Sequence, residues 1–157
     1  MSVTEQLAQF VVDTRWDAIP AAAKGKATQC ILDCVGVTLP GAVDPIRVPV
    51  IRYLAELGGR PDATVIGAGT KTSVANAAFA TGVFGHGLDF DDTNQIFEGH
   101  GSVVIVAAIL ALAERLGSTG RDVHNRILAF LICSGVSPPI GSSKSHTGIS
   151  SRGIPSL

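Results

Sequence analysis

Apolar residues recur along most of this chain at helical spacing, and short Gly, Pro, Ser and Thr clusters separate the runs. Ser2-x-x-Glu5 has the form of a capping box, and Leu7, Phe10 and Val11 follow at helical spacing, so a first short helix is expected to end near Thr14. Pro20 suits the first turn of a second helix, with Ala27, Ile31, Cys34, Val35 and Thr38 on its apolar face and Pro40-Gly41 as its stop. Pro45 opens a third, which runs through Val48, Ile51, Leu54 and Leu57 to Gly58-Gly59. Ala63 to Ile66 is long enough only for a small strand. A fourth helix, roughly Ser73 to Leu88, is crowded with Ala and Gly and therefore lets neighbouring backbones come close.

The run Val103 to Leu116 is apolar nearly all round, the pattern of a central buried helix, and Glu114-Arg115 and Gly117 close it. It is the expected hub of the core. Arg121 to Cys133 is amphipathic, with Val123, Ile127, Leu128 and Leu131 inward and Arg121, Asp122, His124 and Arg126 outward, which makes His124 a solvated residue. The expected fold class is all-α, six helices with little strand. From Ser134 the chain turns rich in Ser, Gly and Pro and loses its periodicity, so residues 1–133 are expected to form a helical domain and residues 134–157, including His146, an irregular tail.

At 157 residues and 46% hydrophobic, the chain has enough apolar content for one globular core. A net charge of −1 leaves no basic field for nucleic acid or an anionic membrane. The N-terminus lacks the basic and apolar regions of a signal peptide, and no apolar run reaches membrane-spanning length, so a cytoplasmic location is expected. Cys30, Cys34 and Cys133 are odd in number. Cys30 and Cys34 share a helix face, but no second Cys/His pair completes a zinc site, so buried structural thiols are the better reading.

Candidate chemistry concentrates in His86-Gly-Leu-Asp89-Phe-Asp91-Asp92-Thr93 and the following Glu98-Gly-His100-Gly-Ser102. Only 16% of the chain is charged, so four acids beside two of its four histidines form a costly cluster unless it does chemistry or binds something. Asp91 and Asp92 are expected to cap the next helix or pair with an arginine. His86 divides evenly between a hydrogen-bonded core histidine and a ligand. A divalent-metal site built on the carboxylates is the weakest reading.

Several segments together resemble the N-terminal part of the MmgE/PrpD family: Ile19-Pro20, Leu32-Asp33-Cys-Val-Gly36-Val37, Gly59-Arg60-Pro61-x-Ala63-Thr64-Val65-x-Gly67 and Asn76-Ala77. The match continues through His86-Gly-Leu-Asp89-Phe-Asp91-Asp92-Thr93, His100 and Ala111-x-Ala-Glu114-x-x-Gly117-x-x-Gly120-Arg121-Asp122, covering residues 4 to 133. The family includes 2-methylcitrate dehydratase, cis-aconitate decarboxylase and iminodisuccinate epimerase, and its members join an all-helical domain to a smaller α/β lid domain. The resemblance implies a cofactor-free, metal-free lyase or isomerase for small polycarboxylates, most of all of the 2-methylcitrate dehydratase type; bare apolar helical faces are expected to make the chain a homodimer.

Such reactions need a base for a carbon-bound proton, an acid for the leaving group and cations for the carboxylates. His100 is the natural acid/base, since imidazole titrates near neutral pH. The resemblance places Asp89, Thr93 and His100 at the family's active-site Asp, Thr and His. Asp89 would orient an imidazole and the Thr93 hydroxyl would donate to a substrate oxygen, the two sharing a face if the helix persists through the motif.

The chain also departs from the family pattern. His-Pro-Ser is replaced by His100-Gly-Ser102, after a loop about one residue longer. The family's later histidine, in an Arg-Gly-aromatic-His motif, and its later lysines have no counterpart. Gly153-Ile-Pro-Ser-Leu157 can be encoded so that the next reading frame gives Gly-Phe-His-Pro, and a frameshift near residue 134 is therefore expected. The alternative to an enzyme is a non-catalytic helical fragment that dimerises through bare apolar faces.

Overall fold

The computed structural model describes residues 1–93 and 99–133, with side chains described up to residue 131. Among these residues it contains α1 (Val3–Asp13), α2 (Ala21–Gly41), α3 (Arg47–Leu57), β1 (Ala63–Val65), β2 (Thr70–Thr72), α4 (Val74–His86), α5 (Gly101–Leu116) and α6 (Gly120–Cys133). The all-α expectation holds. The tail from Ser134, with His146 and the frameshift reading, and Glu98 lie outside the described residues.

Local sequence explains most helix ends. Ser2 and Glu5 form the reciprocal capping box of α1, and the Ser73 hydroxyl accepts from the Asn76 amide to start α4. Gly117 closes α5 at φ 62°, a left-handed turn that glycine adopts without a Cβ penalty. Pro20 is the N-cap of α2, and the helix stops at Pro40-Gly41 as expected, with Pro40 inside its last turn.

The small residues of α4 let three helices come together. A Cβ on Gly85 would lie 2.6 Å from Val103 Cγ2 of α5 and 3.1 Å from Thr38 Oγ1 of α2. On Gly41 it would meet the Phe84 carbonyl oxygen at 1.9 Å. Two apolar clusters flank this junction. Ile19, Ala27, Cys30, Cys34, Val103, Val106, Ile127, Leu128 and Leu131 join α2, α5 and α6, while Val50, Leu54, Val65, Ala77, Ala80, Phe84 and Ala111 join α3, the hairpin, α4 and α5.

Three apolar faces differ from expectation. On α3 the buried residues are Val50 and Leu54, and Val48 and Leu57 are exposed. The α2 stripe runs through Ala23, Ala27, Cys30, Cys34 and Thr38, leaving Ile31 and Val35 half-buried at its edge. Helix α5 does contact α2, α4, α6 and β1, but Val104, Leu112 and Leu116 remain exposed, so α4 and α5 share the centre.

The expected strand finds a partner in β2, antiparallel, with Ala63 opposite Thr72 and Val65 opposite Thr70. Glu114 of α5 ties this hairpin down: its carboxylate accepts from the Thr64 amide at 2.7 Å and hydroxyl at 2.8 Å and pairs with Lys71 Nζ at 2.7 Å. His124 is a correction as well. It is half-buried, its Nε2 is 2.9 Å from the Thr28 hydroxyl, and the Trp16 ring packs edge-on against it at 5.0 Å, so burial lowers its pKa.

Candidate functional site

Helix α4 ends at His86, and the backbone then leaves helical geometry: Asp89 has φ 55°, a left-handed conformation that aspartate tolerates better than most residues. The helix therefore does not persist through the motif, and Asp89 and Thr93 share no helical face. Beyond Asp89 the side chains point in the opposite sense to their polarity. Phe90 is 76% exposed, while the Asp91 side chain is 1% exposed.

Asp91 gathers the cluster. Its Oδ1 and Oδ2 lie 3.0 and 3.2 Å from His86 Nδ1, and its Oδ1 lies 3.3 Å from His100 Nδ1. His100 Nδ1 is also 3.2 Å from the Asp91 carbonyl oxygen. The other ring nitrogen of His100, Nε2, lies 3.4 Å from Asp89 Oδ1. The two imidazole centroids are 4.7 Å apart. A carbonyl oxygen can only accept, so the Nδ1 of His100 carries hydrogen and, in the neutral ring, Nε2 carries the lone pair.

Asp92 does what was expected of it, capping the next helix. Its carboxylate accepts from the Ser102 amide at 3.2 Å and from the Ser102 hydroxyl at 2.6 Å, at the positive end of α5, where His100 is the N-cap residue. Ser102 also lies beside Cys30, so this latch abuts the apolar core. Cys30 and Cys34 are buried and free, as structural thiols should be, and burial pushes the Cys34 thiol up to about 12.

Of the residues singled out in the sequence, Asp89 and His100 come together and Thr93 does not join them. Thr93 is exposed and has no hydrogen bond among the described residues. His86 is not a core histidine, since its side chain is 53% exposed. Among the described residues, Asp91 neither caps a helix nor pairs with an arginine. What sequence reasoning missed was its burial between two imidazoles, for which the residue pattern carries no signal, since Phe90 is exposed and Asp91 buried against their polarity.

His86, Asp89, Asp91 and His100 each bring one donor atom to within 4.8 Å of the others, close enough to surround a metal ion. Contacts of 3.0 to 3.4 Å between imidazole and carboxylate already account for that proximity. A mostly apolar concavity of about 430 Å³ lies elsewhere, lined by Thr64, Ile66, Thr81, Leu110, Glu114 and Val123, and contains none of the clustered residues. Its one carboxylate is already tied to the hairpin.

The lysine and arginines around the hairpin are committed as well. Lys71 is held by Glu114, Arg60 and Arg115 both pair with Asp62 at 2.7 Å, and Arg47 donates to the carbonyls of Ala42 and Ala68. No helix among the described residues is long and apolar enough to cross a membrane. No curated protein gives a significant match to the chain. The family model of the MmgE/PrpD N-terminal domain matches residues 5–132, which takes in the small-residue helix, the acidic segment and His100 together. The chain belongs to the MmgE/PrpD family.

Proposed function

We propose that residues 1–133 form the acid/base domain of a cytoplasmic lyase of the 2-methylcitrate dehydratase type, acting on a small polycarboxylate without cofactor or metal. The observation that supports this reading is His100 held by Nδ1, with Nε2 as its reacting nitrogen beside Asp89. A fixed tautomer is what a general acid/base requires, because the proton must be taken or given at one defined atom. His100 exchanges the proton, Asp89 aligns and stabilises the ring, and the exposed Thr93 hydroxyl donates to a substrate oxygen.

Carboxylates repel an anionic substrate at short range, and the lysine and arginines nearest the cluster in sequence are paired elsewhere. The chain alone therefore turns over slowly, and its exposed apolar residues, Val104, Leu112 and Leu116 among them, support association as a homodimer. Those same exposed residues favour the second reading, a non-catalytic helical module that serves only in assembly.

An assay at high protein concentration on 2-methylcitrate, citrate and cis-aconitate, with and without chelator, separates the two. The lyase reading expects slow, chelator-insensitive turnover of at least one substrate that His100→Ala removes. Equal rates for the chain and His100→Ala, or loss of activity with chelator, would contradict it.

A further inference from the structure

Elimination of water beside a carboxylate moves two protons. One leaves carbon, its electron pair forming the new double bond, and one joins the departing hydroxyl, so that water leaves. We propose that His86 is the second proton-carrying group of the site, and that Asp91 is the positioning residue shared by both imidazoles. This rests on the dehydratase reading above.

The two rings are held by the same residue but presented differently. His86 Nδ1 faces the Asp91 carboxylate at 3.0 and 3.2 Å, an acceptor, so it carries hydrogen and Nε2 keeps the lone pair. That Nε2 has no hydrogen-bond partner among the described residues, and its ring is more than half exposed. His100 has an acceptor at each nitrogen: Asp91 at Nδ1 and Asp89 at Nε2. His86 therefore suits the base that takes the carbon-bound proton, and His100 the acid that protonates the leaving hydroxyl. With ring centroids 4.7 Å apart, both reach one small substrate.

A buried carboxylate needs partners whatever its role, so closeness alone would also fit a purely structural His86. Tautomers separate the possibilities. Long-range proton–nitrogen NMR on the chain labelled with ¹⁵N-histidine, at about pH 9 where ordinary histidines are neutral, should show Nδ1–H on both His86 and His100. Asp91→Ala should move His86 to the Nε2–H form, whereas His100 keeps Nδ1–H through the backbone carbonyl. Should Asp91→Ala fail to fold, the wild-type spectrum decides by itself. His86 found as Nε2–H in the wild type, or unmoved by Asp91→Ala in a folded chain, would overturn the positioning role.

Titration with citrate and 2-methylcitrate should then shift the His86 and His100 signals together. Movement of His100 alone would remove His86 from the reaction. If the tautomers are as stated but neither carboxylate moves either ring, the dehydratase reading fails and takes the proton-carrying role of His86 with it, while Asp91 remains a positioning residue.

Discussion

The two polar regions of this domain handle carboxylates in opposite ways. At the hairpin, Glu114 is paired with Lys71, and Asp62 with Arg60 and Arg115. At the far end of α4, among the described residues, Asp89 and Asp91 face imidazoles and Asp92 faces a helix N-terminus. Lysine and arginine hold their charge throughout the neutral range, so the hairpin pairs lock geometry and do nothing else. Imidazoles gain and lose protons there, so the second region can do chemistry. The same side chain, aspartate, is held by fixed cations in one place and by imidazoles in the other.

Substitutions that damage the frame between the two regions should have the largest effect. Gly41→Ala forces a methyl group onto the backbone carbonyl of Phe84 and should cost about 3 kcal/mol. Thermal unfolding would show it as a drop of many degrees, and both regions should fail together.

Asp92→Ala sharpens the contrast more selectively. It removes the cap of α5 and the bond to the Ser102 hydroxyl, and should cost about 1 to 2 kcal/mol in denaturant unfolding. Because His100 is the residue that begins α5, the same variant should also disturb the His100 signals in NMR. Unchanged His100 signals would show that the latch does not set the ring.

Glu114→Ala belongs to the other region. It removes three contacts, but the side chain is partly exposed, so the cost should be near 1 kcal/mol, with the two imidazoles unaffected. A comparable change at His86 or His100 would break the comparison, since it would mean the two ends are coupled.

The smallest effect is one of pH. Bonds from Lys71 and Thr64 hold the Glu114 carboxyl down at about 2, against 4.5 for a free side chain. A lowered carboxylate pKa adds stability that is complete above the unfolded value and fades as pH falls from about 4.5 towards 2. His124 acts in the same direction from a higher starting point: burial lowers its pKa, so its contribution is complete above 6.5 and declines on acidification below that. Thermal melts between pH 7 and 3 should show a shallow decline first and a steeper one below about 4.5, and Glu114→Ala should flatten the second part.

Much of the fold was legible because it depends on local signals. The capping box of α1, the glycine that ends α5 and the close approaches of α4 all follow from residue types at fixed spacing. What failed was whatever depends on a distant partner. Thr70-Lys-Thr72 is too polar to read as a strand until β1 pairs with it and Glu114 clamps it. Trp16 covers a histidine that the α6 pattern alone puts in solvent. In the site, the family resemblance pointed to Asp89 and His100, but the left-handed turn at Asp89, which sends Phe90 outward and Asp91 inward, is a backbone choice that periodicity does not encode.

The central claim is that the imidazole region, and not the hairpin region, carries the reaction. Initial rates of 2-methylcitrate dehydration for the chain, Glu114→Ala and His100→Ala, with unfolding followed on the same samples, test it most directly. Glu114→Ala should keep its rate while losing some stability, and His100→Ala should stay folded while losing about a hundredfold in rate or more. A folded His100→Ala chain that works as fast as the original would contradict the account.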